Sequence, residues 1–222
     1  MGTKELEAPR AESADKAYTA AKAVLSAIPG IGGPVAELFG LVVQPSLESR
    51  RIKWMEAVAE RLCELQNHGV SIERLQQDEA FVSAILHATQ AALRTHRAEK
   101  LEALLNAVLN IAETQAHDET LEQILLSYID ELTCSHLQLL LAAHDRDYLE
   151  GRYVSVRDLV RELLPQMTED EVLTRVLWRD LESRGLVASN AERVSPGHSL
   201  ARPGMTALGR SLVALIRRRA AT

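Results

Sequence analysis

Aromatic side chains are scarce in this chain: two Phe, two Trp and four Tyr make up 4 % of 222 residues. That shortage argues against a sheet-built fold, whose pleated faces favour aromatic and β-branched residues. It suits helices of Leu and Ala, which lose little rotamer freedom on coiling. No charge sign dominates strongly either. With 25 Lys and Arg against 31 Asp and Glu, the formal net charge is −6, so the molecule as a whole does not draw in polyanions. A local basic patch stays open. Cysteine is limited to Cys63 and Cys134, far apart and inside apolar-periodic segments. They read as reduced core thiols of a cytoplasmic protein, not as a disulfide. The opening residues MGTKELEAPRAESADKA hold no apolar signal core, and Leu6 stands where a myristoylation motif wants Ser or Thr. Residues 1–16 are expected to be a flexible leader.

Spacings that carry chemistry are missing too. His87 and His96 are nine apart and His136 and His144 eight apart, whereas a helical metal site wants i,i+4 pairs. The stretch GIGGP (Gly30 to Pro34) has neither a strand before it nor the Lys-Ser/Thr after it that a phosphate loop needs. SPGHS (Ser195 to Ser199) brings Ser and His together without an orienting acid or a strained nucleophile turn. The expectation is a non-enzyme with no catalytic residues, no cofactor, no metal and no small-molecule substrate.

What is present is helical period. At 222 residues the chain can bury a sizeable core as one large domain or two small ones. An Ala-rich helix from Tyr18 ends at Pro29, Pro34 opens a second helix to about Val43, and Pro45 stops it. Ser46 is then a candidate N-cap for a strong helix with Trp54, Met55, Val58, Leu62 and Leu65 on one face and Gly69 as its stop. Further stripes follow: Phe81, Ile85, Ala88 and Ala92 after Asp78; Leu101, Leu104, Leu105, Val108 and Ala112; then Leu121, Ile124, Leu125, Tyr128, Ile129 and Leu132 after Asp118. The fold class is therefore mainly α, with an antiparallel helical bundle over residues 17–129.

Residues 130–222 change character. Three helical stretches, a Gly- and Pro-rich segment and a closing helix run in order, and any strands are expected as a short hairpin between about Gly185 and Met205. The pattern LWRDLESRGLV followed by MTALGRSLVALI resembles winged-helix domains. That resemblance implies a fold and leaves function open, since winged helices serve many purposes. Through IPGIGGPVAELF, EKLEALLNAVLN and DELTCSHLQLL the whole chain also resembles a family of uncharacterised bacterial helical proteins with no established activity.

Three functions follow as expectations. The first is an adaptor whose winged-helix module docks a protein partner or self-associates. The second is a DNA-binding transcriptional regulator. The third is a membrane-active effector, as in phage defence, built on Val24 to Val43. That apolar stretch is broken by Pro29, Gly30, Gly32, Gly33 and Pro34. A single membrane-spanning helix cannot pass that elbow without freeing backbone groups in lipid, so it reads as a hairpin packed on the bundle, or inserted only after a trigger. Glu169, Asp170 and Glu171 open the third C-terminal helix, where a DNA reader needs its contacts; they repel phosphates and mark a candidate acidic partner surface. Arg175 and Arg179 lie further along that helix and are candidate partner or DNA contacts. Arg193, Arg202, Arg217, Arg218 and Arg219 make the end of the chain basic and are candidate partner or DNA contacts.

Overall fold

A computed structural model describes residues 34–114, 118–148, 156–167, 170–190 and 202–218. The chain divides into two compact units, Met1–Lys53 and Trp54–Thr222. The described elements are helical apart from one two-stranded sheet. Residues on both sides of position 130, assigned from sequence to bundle and winged-helix-like parts, fall in the second unit.

Within the first unit the described part belongs to helix α1 (Pro34–Asn67), and none of its residues with described surroundings is buried. Pro34 opens the helix as expected, but Pro45 does not close it and Ser46 is not a cap: both lie inside α1. Proline deprives the carbonyl four residues back of its donor. Here that residue is Leu41, which is 69 % exposed, so water can take the donor's place. The remainder of the Val24–Val43 hairpin, including Pro29, Gly30, Gly32 and Gly33, lies outside the described residues.

In the second unit the periodic stripes become packed faces. From α1, Trp54, Val58 and Leu65 are buried and Leu62 packs at their edge. Met55, expected on that face, is 47 % exposed, and Cys63, expected in the core, is exposed while Cys134 is buried. The helical arc is simply narrower than the run of apolar residues. Trp54 is fixed further by its indole Nε1, which donates to Thr89 Oγ1 at 3.0 Å. Gly69 ends α1 with a φ of +93°: Val70 N donates to Leu65 O and Gly69 N to Gln66 O, each at 3.0 Å, the paired bonds that satisfy terminal carbonyls.

Side-chain caps set the next boundaries. Ser71 caps the short α2 (Ile72–Gln77), which sequence period did not reveal; Asp78 caps α3 (Glu79–Arg94), and Asp118 caps α5 (Glu119–Glu131). Helix α3 packs on α5 and on α4 (Ala98–Glu113), whose Leu104, Ala107, Val108, Ile111 and Ala112 are at most 1 % exposed. On α5 the buried positions are Leu125, Leu126 and Ile129, whereas Ile124 is 40 % exposed. Burying each large aliphatic side chain contributes about 1.5–3 kcal/mol.

The chain continues through α6 (Cys134–Tyr148), α7 (Val156–Leu163), a 3₁₀ turn (Pro165–Met167) and α8 (Glu171–Ser183). Strands β1 (Val187–Asn190) and β2 (Arg202–Met205) pair antiparallel with Val187 opposite Met205, within the span expected for a hairpin. Helix α9 (Ala207–Ile216) then packs on α4 and α6. Two glycines hold this corner. Gly185 (φ +70°) closes α8 with the same bond pair, Leu186 N to Leu181 O and Gly185 N to Glu182 O. A Cβ on Gly209 would sit 2.0 Å from Leu186 O, so only glycine lets α9 start against the end of α8. Thr206 completes the lock: its hydroxyl accepts from Gly209 N at 2.9 Å and lies 2.6 Å from Gly185 O.

The far end of α9 is capped from a distance. Asn110 Nδ2, on the buried face of α4, donates to Leu215 O at 2.7 Å and Arg217 O at 2.9 Å, and Asn106 Nδ2 donates to Ile216 O at 2.9 Å. The Asn pair in LLNAVLN thus supplies the donors that the last turn of α9 lacks.

Candidate functional site

Helix α8 forms because Asp170 caps it, accepting from Leu173 N at 2.8 Å, and because Thr174, Leu177, Trp178 and Leu181 recur at helical spacing and are buried. Its other side departs from the usual solvent face. Val172 is 68 % exposed, Val176 57 % and Leu173 48 %. A helix that covers one stripe of core is normally polar opposite it, so apolar residues on successive outward turns mark a contact surface. Arg175 and Arg179 stand exposed beside them, one turn apart, with no ion pair among the described residues.

An open cleft of about 340 Å³ lies between α7, the 3₁₀ turn and α8, where α8 presents Glu171, Thr174, Arg175 and Trp178. Val156, Val160, Met167 and Trp178 give it an apolar lining. At its mouth Arg157 Nη2 meets Glu171 Oε1 at 2.7 Å, joining α7 to α8. Thr174 Oγ1 donates to Met167 O at 3.2 Å and so ties the 3₁₀ turn to α8.

The acidic trio is thereby dispersed. Asp170 is used as a cap, Glu171 is paired with Arg157, and Glu169 lies outside the described residues. The basic set is dispersed too. Arg217 pairs with Asp145, and Arg218 lies 3.5 Å from Glu64, so neither guanidinium is unpaired. Arg202 opens β2 opposite Asn190; Arg193 and Arg219, with Ser195 to Ser199, lie outside the described residues. Of this set Arg175 lines the cleft, and exposed Arg179 stands one turn beyond it on α8. Sequence reading missed Val172, Leu173 and Val176, although EVLTRVLWRDL carries its signal: its apolar residues span too wide an arc for one buried stripe.

A second constellation fastens the base of α8. Thr133 and His136 cap α6 reciprocally: His136 N donates to Thr133 Oγ1 at 3.4 Å, and Thr133 N donates to His136 Nδ1 at 3.2 Å. With Nδ1 accepting, the ring proton belongs on Nε2, which lies 3.2 Å from Asp180 Oδ2 but off the line of a good hydrogen bond. Arg184 Nε reaches the same carboxylate at 3.1 Å, and its Nη1 donates to Glu131 at 2.6 Å. Its guanidinium also lies 5.7 Å from the Tyr128 ring centre. Burial holds the His136 pKa below its ordinary value; Asp180 opposes that shift and Arg184 adds to it. The hydrogen bond that Arg184 donates to Glu131 raises its own pKa. This arrangement joins α5, α6 and α8.

Among the described residues no cluster of three or more His, Cys, Asp or Glu could hold a metal, and no helix is long and apolar enough to cross a membrane. No family model, curated protein or solved structure matches the chain.

Proposed function

We propose that the protein is a non-enzymatic adaptor whose C-terminal part, α6 to α9, is a winged-helix-like module that docks a protein partner through the outward face of α8. The order of three helices, a β-hairpin and a closing helix supports the winged-helix reading. One observation carries the function: Val172, Leu173 and Val176 are exposed on α8, the helix that in a DNA reader would face bases and phosphates. Those three side chains gain by leaving water against another apolar surface and gain nothing from phosphates.

A second reading, DNA binding, draws on exposed Arg175 and Arg179. It is weakened by the pairing of Arg217 and Arg218 with carboxylates within the fold.

A photocrosslinking residue at Val176 tests the choice, with the same residue at exposed Glu56 of α1 as control. The adaptor reading expects discrete protein adducts in cells from position 176 and none from 56. Nucleic-acid adducts at 176, or no position-specific protein adduct, would refute it.

A further inference from the structure

We infer that the partner of the α8 surface is an amphipathic helix carrying an apolar anchor flanked by carboxylates. This rests on the docking role proposed for that surface and specifies its chemistry.

The whole chain carries a net charge of −6, yet around the cleft the sign reverses. Its lining holds Arg157 and Arg175 against Glu171, so two minus one leaves one positive, and exposed Arg179 follows one turn beyond Arg175. The nearby acids are also already engaged, Asp170 with the start of α8 and Glu171 with Arg157. Arg175 and Arg179 have no such partner among the described residues and flank the exposed valines. An incoming carboxylate therefore finds unengaged guanidinium groups, whereas an incoming ammonium meets acids that are already paired.

Shape points to a helix. Val172 and Val176 lie one turn apart and exposed on α8, and the same helix borders, through Arg175 and Trp178, a cleft that Val156, Val160 and Met167 also line. A partner helix with large side chains at i, i+4 and i+7 can pack on the two valines while one side chain enters the cleft. Carboxylates on its flanks then reach Arg175 and Arg179.

Two synthetic helical peptides test this. Both carry Leu at i, i+4 and i+7; one has Glu and the other Lys at the flanking positions. Titrated against the full chain by fluorescence anisotropy, the Glu peptide should bind at least about fivefold tighter, with the advantage shrinking as salt rises. The double variant Arg175→Glu, Arg179→Glu should reverse the order, with its helix content checked by circular dichroism. Equal or tighter binding of the Lys peptide, an order unchanged by the double variant, or no binding of either peptide would each overturn the inferred chemistry. Duplex DNA binding that the double variant abolishes would overturn it in favour of nucleic acid. Crosslinking at Val176 separates the two failures: protein adducts there with no Glu preference leave the adaptor role standing and remove only the acidic helix.

Discussion

Helices α4 and α8 are both apolar over more of their circumference than one stripe requires, and they meet opposite fates. Along α4 the whole arc is covered: α3, α5 and α9 pack on it, and even its asparagines are spent on the last carbonyls of α9. Along α8 only the half bearing Thr174, Leu177, Trp178 and Leu181 is covered, and Val172, Leu173 and Val176 remain in water. A wide apolar arc thus says how much surface a helix must hide. The neighbouring elements decide whether the fold hides it or leaves it for another molecule.

That contrast can be broken first on the covered side. Leu104→Ala empties a fully buried site on α4 and should cost about 2–5 kcal/mol, read from chemical denaturation. A loss below about 1 kcal/mol would mean that the α4 face is not sealed. Next in size, Asn110→Ala leaves terminal carbonyls of α9 without donors and should cost about 1–3 kcal/mol. Amide exchange should also quicken in the last turn of α9 while α3 is unaffected. If the two helices lose protection together, the cap is not a local device.

His136 sharpens the comparison at the base of α8. Its folded pKa lies below the unfolded value of about 6.5, so the folded state binds fewer protons than the unfolded state. Stability contributed by this residue is therefore full above about pH 6.5 and declines as pH falls below that value. The groups facing it are Thr133 on its own turn and Asp180 and Arg184 from α8, the latter tied to Glu131 of α5. In His136→Gln the amide oxygen can still accept from Thr133 N, so the melting temperature should fall less between pH 7.5 and 5.5 than in wild type. Parallel curves would assign the acid sensitivity elsewhere. The smallest effect belongs to the uncovered side. Val172→Ser with Val176→Ser should shift stability by less than about 0.5 kcal/mol per site while abolishing binding of the Glu-flanked peptide. A loss comparable to Leu104→Ala would show that this face is already occupied within the fold.

Features fixed by near neighbours were legible in the sequence. Caps at Asp78 and Asp118, stops at Gly69 and Gly185, and the main stripes follow from contacts within a few residues. Pro45 misled because a local penalty was read as a stop, although its orphaned carbonyl belongs to an exposed residue. Met55, Cys63 and Ile124 misled because apolar character was equated with burial. The candidate site was only half legible. The apolar excess of α8 stands in its residues, but the cleft needs α7 and the 3₁₀ turn in place. The role of Asn110 could not be read at all, since its acceptors lie more than a hundred positions away.

That last separation has a consequence for the order of synthesis. At about 5–20 residues per second, Ile216 leaves the ribosome about 5–20 s after Asn110. Once α5 has followed, α4 can meet α3 and α5 but not α9, so the nascent chain carries an uncovered strip of a helix whose Leu104, Ala107 and Val108 end fully buried. The finished protein presents its sticky surface on α8; the growing one presents an additional, temporary surface on α4, which a trigger-type chaperone would have to shield until the final helix arrives.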